Sequence, residues 1–591
     1  VDAFAELNER GDRCAVYFRY SDEAKNAVKS IPGARFVPIS DGVAAHWTLP
    51  LDLTAMRELR EKFGNGLVLG NAIKAWGRVA VNQEGQLREM SVADDVPIDN
   101  LKLAKKIPDL AEWFRPYQRA DTKFMATTNC LNLLEPRLGK TTEVIAAVFE
   151  ADLENGAHLV VAPKTTLDQV WRYEVERWTD HVVVTYSGDL NQKEKADAER
   201  LVDKCLDKGW PFWFVTTADM VRRGSYPDLQ EWNSFTIDEF HKTGLPETGT
   251  VFSKAAKKVP TLRKFALSGT PMGGKPIKLF GALQWLEPAV HTSKWNWAYQ
   301  WLVVENVWGN HKKIGRIKPG REDQFYLVHA RYMVRRLRSE VLPQLPEKLW
   351  IDVDVDMTKS QGAQYTTFAR DAEIRIEEYH LSATSILAEY TRLKQFANHR
   401  CTVEAYEVVD EDTGRVNLKV KATEESGKIP ALLDRLAEEG IDPDDPEGDA
   451  QAIVVSQFRE TAEMIQRYLT KIGIGCEIIS GPVRLSTRNE IMAEFAEGNL
   501  RVVVLVTAAA GVGITLNRAS TVHLLDETWN PDDQEQVADR ALDTNDLHQV
   551  TVFTYRSKGT IEQYIQEVTD EKMDINRDVL DLRRQGLKAI K

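Results

Sequence analysis

Nine short apolar runs, gathered in two series, constrain the fold of this chain more than any other feature. The first series is "HLVVAP" (His158 to Pro163), "FWFVTT" (Phe212 to Thr217), "SFTIDE" (Ser234 to Glu239) and "KFALSG" (Lys264 to Gly269). The second, from Ala452 onward, is "AIVVSQF", "CEIISG", "VVVLVTA", "TVHLLD" and "VTVFTY". A strand with one wet face alternates apolar and polar residues. These runs are apolar on consecutive residues and close on a polar or small one, the pattern of strands buried on both faces of a parallel sheet. The fold class expected is therefore α/β, with two parallel-sheet domains at 105–290 and 431–570. Ligands of such sheets sit at the carboxyl ends of the strands, where the next turn opens a helix.

Three further regions complete the expected organisation. Residues 1–98 read as a small N-terminal α+β domain. In it "CAVYFRY", "ARFVPI" and "AHWTLPL" are strands, and "SDEAKNAVKSI" is a helix capped by Ser21 and ended before Pro32-Gly33. "DLTAMRELREKF" is a second helix, with Leu53, Met56, Leu59 and Phe63 on one face. Residues 291–430 read as helical insertions and a linker, with one long helix from about 358 to 398. The segment "TVEAYEVVDEDTGRVNLKVKA" reads as a hairpin turning at Asp412-Thr413-Gly414. Trp285, Trp295, Trp297, Trp301 and Trp308 read as core in preference to a base-stacking platform, and 571–591 as a charged helix.

Composition excludes several classes. The five cysteines (Cys14, Cys130, Cys205, Cys401, Cys476) form no CxxC pair, which argues against zinc and against a disulfide framework. No apolar run approaches the ~20 residues of a membrane span, and there is no signal-peptide pattern at Val1. A cytoplasmic protein without membrane contact is expected. The net charge of −13 speaks against wholesale nucleic-acid binding, so local basic stretches matter more than the total. Two are "HKKIGRIKPGR" (His311 to Arg321) and "RYMVRRLR" (Arg331 to Arg338); each reads equally as a solvated charged face.

The chemistry begins at "LLEPRLGKTTEV", Leu133 to Val144. A strand-like "CLNLLE" runs into Gly139-Lys140-Thr141 and then into the helix "TEVIAAVFE". Backbone N–H groups at a helix start bind phosphate, a lysine there neutralises it, and the following threonine can hold Mg²⁺. About a hundred residues on, "TIDEFH" places Asp238 and Glu239 at the end of an apolar strand. There Asp238 can position Mg²⁺ while Glu239 orients and deprotonates a water. A GKT alone occurs often and an Asp-Glu pair alone is a common strand-end turn; the two together, in this order and context, point to an NTPase.

The remaining blocks make the pattern specific: "FRPYQRA", "VVAPKTTLDQVWRYEVERW", "LSGTPMGGKPIKLFGALQWLEP", "RYMVRRLRSEVLPQLPEK", "VVSQFRETAEMI", "LVTAAAGVGITL" and "DETWNPDDQEQVADRA". Their order and spacing, over roughly residues 105 to 570, resemble the Swi/Snf-family ATPases of the second helicase superfamily. The resemblance implies two RecA-like domains that bind ATP between them and track along duplex DNA. By position it assigns Gln118 to the adenine edge, and Gly139, Lys140 and Thr141 to phosphate and Mg²⁺. Asp238 and Glu239 become the hydrolytic carboxylates, with His241 coupling them toward "LSGTP". Gly511 and Gly513 would admit the nucleotide to the second domain's backbone, and Gln536 and Arg540 would face it. Pro163-Lys164, Thr216-Thr217, Ser456-Gln457 and Thr507 fall where the family touches DNA phosphates without reading sequence.

Two departures stand out. Arg137 occupies a loop position where the family carries glycine, and Asp543 replaces the second arginine of the family's motif VI. An arginine at a γ-phosphate can be worth ~10³ to 10⁵ in rate, so one reading is a charge swap, with Arg137 pairing Asp543 and assisting hydrolysis beside Arg540; the other is that Arg137 points into solvent and Asp543 is unrelated drift. The N-terminal domain, through "AVKSIPGARFVP" and "HWTLPL", is similar to the HARP domain of annealing helicases, which implies branched-DNA contact by Lys29, Arg35 and Trp47. A packing domain with Phe36 and Trp47 in its core is the other reading of the same residues. The function expected is a DNA-dependent ATPase acting on double-stranded or branched DNA in fork remodelling or strand annealing, in a bacterial or phage-infected cell. A protein-displacing remodeller with the same motor, and a non-catalytic ATP-gated clamp, stay open.

Overall fold

The computed structural model describes residues 2–31, 33–39, 44–306, 312–378, 383–410, 415–445, 448–481, 483–507, 514–542 and 548–576. Two compact units divide it, Val1–Leu337 and Arg338–Met573.

The first unit opens with a five-stranded sheet in the order Arg35–Val37, His46–Pro50, Arg13–Phe18, Ala3–Leu7, Leu67–Leu69. All neighbours pair antiparallel except the last two, which run parallel. Ser21 caps the helix Asp22–Lys29 by accepting the Ala24 N–H at 3.1 Å, as the sequence predicts. Asp52 caps the helix Leu53–Phe63 through the Thr54 and Ala55 N–H groups at 2.8 and 3.3 Å. Leu53, Leu59 and Phe63 are buried and Met56 is half-buried against the same core. Beyond the sequence reading lie two strands, Ala3–Leu7 and Leu67–Leu69, and a 21-residue helix, Asn71–Ser91. That helix buries only Ile73 and Ser91, so its apolar periodicity is weak.

The rest of the first unit is built on a seven-stranded sheet whose pairings are all parallel. Its order is Met333–Val334, Cys130–Asn132, Thr261–Leu267, Trp232–Ile237, Ala157–Val161, Phe212–Thr216, Val182–Tyr186. The strands Ala157–Val161 and Phe212–Thr216 are buried at every residue, which is why their sequences do not alternate. Trp285, Trp297 and Trp301 are core, whereas Trp295 is 44% exposed; Trp308 lies outside the described residues.

The second unit carries a six-stranded, all-parallel sheet. Its order is Leu349–Val355, Thr551–Ser557, Thr521–Leu524, Ala452–Ser456, Val502–Val506, Cys476–Ile479. The class is thus α/β with two RecA-like parallel-sheet domains, and all nine apolar runs are strands. The single helix expected over 358–398 is instead two, Lys359–Glu378 and Ala383–Asn398, folded against one another. Phe368 and Phe396 stack at 4.6 Å, and Gln361 Nε2 donates to the Phe396 and Ala397 carbonyls at 3.1 and 2.9 Å. Doubling back brings Phe368 against Phe396, a contact that one straight helix could not make. The hairpin pairs Cys401–Asp410 with Arg415–Ala422; its expected turn at Asp412-Thr413-Gly414 lies outside the described residues, as does the tail from 577.

Candidate nucleotide site

The strand Cys130–Asn132 feeds a loop that is pinned before it turns. Leu133 N–H donates to the Val334 carbonyl at 2.9 Å and Glu135 N–H to the Arg336 carbonyl at 3.2 Å, extending the ladder past the strand's end. The loop then needs two left-handed residues. Arg137 has φ +65° and Gly139 φ +86°. Position 137 therefore takes a left-handed conformation that glycine adopts freely, at the ~1–2 kcal/mol that a Cβ costs there. Gly139 is tighter still: a Cβ would lie 2.4 Å from Gln118 Nε2, so that buried amide would have to move. Gln118 is buried beneath the loop, its carbonyl accepting the Arg115 N–H at 3.0 Å and its amide reaching the Leu138 carbonyl at 3.4 Å. Tyr117 donates to the same carbonyl at 3.0 Å.

The helix Lys140–Glu150 starts directly after Gly139. Lys140 folds back over the loop, donating to the Leu134 and Glu135 carbonyls at 3.0 and 3.1 Å. Burial lowers its pKa, against the pull of Glu239 and Asp238, so the three side chains share one electrostatic site. Thr141 is half-buried in the helix's first turn.

Asp238 follows the strand Trp232–Ile237 and is buried. Its Oδ1 accepts the Glu239 N–H at 2.9 Å and its Oδ2 accepts Trp171 Nε1 at 3.0 Å. Burial first, and the Glu239 charge second, push its pKa up to about 7, with Trp171 and Lys140 opposing. Glu239 sits at φ +45°, a strained value of the kind that gathers at functional positions. Its Oε2 is buried and makes no hydrogen bond. His241 Nδ1 lies 3.3 Å from that oxygen, but its hydrogen bond is the 2.8 Å one to Ser268 Oγ. Ser268 also accepts the Thr270 N–H at 3.0 Å, so His241 bridges the carboxylate pair to "LSGTP".

Sequence reasoning missed the groups that hold this site. Trp171 lay within a quoted block but was given no role. Arg335 lay in "RYMVRRLR", which read as a basic stretch and as part of a quoted block, with no role given to Arg335. It is buried, and its Nη1 donates to the Leu133 carbonyl at 2.8 Å and the Gly269 carbonyl at 3.1 Å, tying the phosphate loop to "LSGTP". A Cβ on Gly269 would lie 2.8 Å from Pro136 Cδ, which shows how closely the two loops pack.

In the second unit, Gln536 is buried on the helix Pro531–Ala538, and Arg540 follows it with Nη1 3.4 Å from the Ile514 carbonyl. The helix is fixed from below by Asp539, which takes Arg338 at 2.5 Å and Lys348 at 2.9 Å. Gly511, Gly513 and Asp543 lie outside the described residues, and with Asp543 the expected partner of Arg137.

The expected DNA-phosphate residues divide by depth. Thr216 and Ser456 are fully buried; their hydroxyls donate to the Tyr186 carbonyl at 2.7 Å and to Asp526 Oδ2 at 2.6 Å. These two side chains face the core, a correction to the sequence reading: the last residue of a strand covered on both faces is still inside. The next residue is the first to emerge. Thr217, Gln457 and Thr507 are half-buried, Pro163 likewise, and Lys164 is exposed beside Asp189. Gln457 is tethered, its amide donating to the Glu527 carbonyl at 2.5 Å. In the N-terminal domain Arg35 and Lys29 are exposed, while Trp47 is half-buried against the core with Phe36 at 5.6 Å.

Residues 75–402 match the SNF2-related domain, and residues 428–545 the helicase conserved C-terminal domain. The chain is 25% identical over 513 residues to "Chromodomain-helicase-DNA-binding protein 1-like" of Danio rerio, covering 84% of this chain and 47% of that protein. It is 24% identical over 488 residues to "ISWI chromatin-remodeling complex ATPase ISW1" of Saccharomyces cerevisiae, covering 80% and 41%. The chain thus spans less than half the length of these relatives. Among solved structures, the "Sulfolobus solfataricus SWI2/SNF2 ATPase core in complex with dsDNA" is 19% identical, covers 79% of this chain and 97% of that one, and has a TM-score of 0.35. With the SNF2-related domain matched over more than half of its length, the chain belongs to the SNF2-related family.

Proposed function

We propose that this chain hydrolyses ATP to move along double-stranded DNA, and that it works in fork remodelling or strand annealing. The observation that carries the reading is Glu239 Oε2, a buried carboxylate oxygen with no hydrogen bond, beside Asp238 and Lys140. An unsatisfied buried acceptor costs ~1–3 kcal/mol, a cost understandable where the oxygen must receive a proton from water. In this reading Glu239 is the base, held by its strained backbone and by His241. Lys140 leaves the loop carbonyls for the terminal phosphate, and Gly139 keeps the loop open to it. Thr141 and Asp238 are the holders for Mg²⁺, which when bound neutralises phosphate charge. The oxygen donors at these positions fit that hard cation. Thr217, Gln457, Thr507 and Lys164 serve as sequence-blind phosphate contacts, and residues 1–98 as a HARP-like module for branched DNA.

A second reading, a protein-displacing remodeller with the same motor, is favoured by the chromatin-remodelling name of one relative. The test is steady-state ATP hydrolysis without DNA and with single strands, blunt duplex and forks. Stimulation strongest on duplex or fork, lost in Glu239→Gln with ATP still bound, supports a motor. Equal hydrolysis with and without any DNA refutes it, and DNA-dependent ATP binding without turnover points to the clamp.

A further inference from the structure

The N-terminal domain carries an open groove between the helices Leu53–Phe63 and Asn71–Ser91. Four cations line it, Arg57 and Arg60 from the first helix and Lys74 and Arg78 from the second, and no carboxylate does. Glu84 sits one and a half turns beyond Arg78 and binds Arg57 in two contacts of 3.1 and 2.8 Å. Arg60 donates to the Leu67 carbonyl at 3.2 Å. Lys74 and Arg78 are exposed and no acidic group pairs with either among the described residues. Between the cations the lining is apolar: Met56, Leu69, half-buried Trp76, and Val81, which is 54% exposed. This face is separate from the strand edge that carries Arg35 and Trp47.

We propose that this groove binds an unpaired DNA strand. Free cations beside an apolar floor fit an occupant that is polyanionic on one side and flat and apolar on the other. A single strand has both, since its unstacked bases offer π-faces to Trp76 while its phosphates meet Lys74 and Arg78. A duplex has only the first, because its bases are stacked away from the protein. The residues from Ile73 to Val81 span ~12 Å of helix at 1.5 Å per residue, room for a short stretch of strand. The groove is also fixed to the motor. The same helix ends at buried Ser91, Val92 packs against Tyr326 and Ala330, and Arg336 Nη2 donates to the Ala93 carbonyl at 2.6 Å. A strand held here is held at a set distance from the nucleotide loop.

The proposal rests on the reading of the chain as a DNA motor, and its test keeps the two apart. Binding of labelled oligothymidylate, blunt duplex and a fork with one unpaired arm is followed by anisotropy across a salt series, using the full chain. Lys74→Gln with Arg78→Gln, both on the exposed face, should weaken oligothymidylate at least about tenfold. The same pair should cut the salt slope by roughly 1.4, at ~0.7 per single-strand charge lost. Gly77→Leu, where an added Cβ meets nothing within 4 Å, should block the groove without strain and weaken the fork more than the duplex. Trp76→Phe should retain binding that Trp76→Ala loses. Unchanged oligothymidylate affinity in these variants, or an equal loss on duplex, overturns the groove. A wild-type protein whose hydrolysis ignores DNA, yet whose oligothymidylate binding falls in the variants, overturns the motor and leaves the groove standing.

Discussion

Replacing Arg336 by methionine should unfold the first unit far more easily than any surface change, and the structure sets the size of the loss. Arg336 and Asp121 are both fully buried, and the guanidinium spans both carboxylate oxygens, with Nε at 2.9 and 3.0 Å. A third partner, Asp94 at 3.3 Å, is 67% exposed and contributes little. A fourth, the Ala93 carbonyl, loses its donor. Removing one member of a buried ion pair costs ~3–5 kcal/mol because the other charge loses its counter-ion inside the core. For a domain of ordinary stability, ~5–15 kcal/mol, that is a fifth or more. With a urea slope of about 3 kcal/mol per M for a large domain, the midpoint should fall by about 1 M or more. The two units need not unfold together, so the transition is best read by hydrogen exchange in the helices Pro116–Thr127 and Lys140–Glu150. The double variant Asp121→Leu with Arg336→Met replaces the pair by apolar groups and should recover most of the loss. A midpoint within about 0.3 M of wild type for Arg336→Met, or a double variant no better than the single one, would refute the reasoning.

Two other outcomes follow from particular contacts. Glu58 accepts from Gln300 across the face between the N-terminal domain and the helix Lys294–Trp301, and burial raises its pKa to about 7, against Lys62 and Arg321. Its folded pKa is above its unfolded one, so its contribution is complete below pH 4.5 and is lost as pH rises through 7; Glu58→Gln should flatten the first unit's stability over that window, and an unchanged slope would sink the assignment. Trp171→Phe removes the 3.0 Å bond to Asp238, a charge-assisted contact of ~1.5–3 kcal/mol, and should slow ATP hydrolysis about tenfold or more at neutral pH while leaving ATP affinity nearly intact; full activity would mean that Asp238 is positioned without it.

Most strands of both sheets were legible because burial on two faces removes alternation, and consecutive valines, isoleucines and leucines record it directly; Leu349–Val355, which alternates, was not among them. Strands of two or three residues, Leu67–Leu69 and Met333–Val334, carry too few residues to leave such a record. The edge strand Val182–Tyr186 was overlooked although its "VVVTY" follows the same rule. Helix caps were equally local: Ser21 needs only the amide three residues on. The helix Asn71–Ser91 was not seen because most of it faces solvent, where no apolar stripe is required.

The sequence by itself determined which residues could do chemistry: Lys140 after Gly139, the pair Asp238-Glu239, and the order of the blocks around them. It also determined that an arginine stands at position 137, but only the backbone at φ +65° shows that this arginine takes a left-handed conformation of the kind glycine favours. What holds the site was decided by tertiary structure alone. Trp171 meets Asp238 across 67 residues of sequence, and Arg335 meets Leu133 across 202. The burial of Thr216 and Ser456, one residue short of the surface, depends on where neighbouring strands end. Periodicity reports the environment of a residue averaged over its own turn or strand. Which distant group fills that environment is set by the order in which parallel strands are laid beside one another, and no local pattern encodes it.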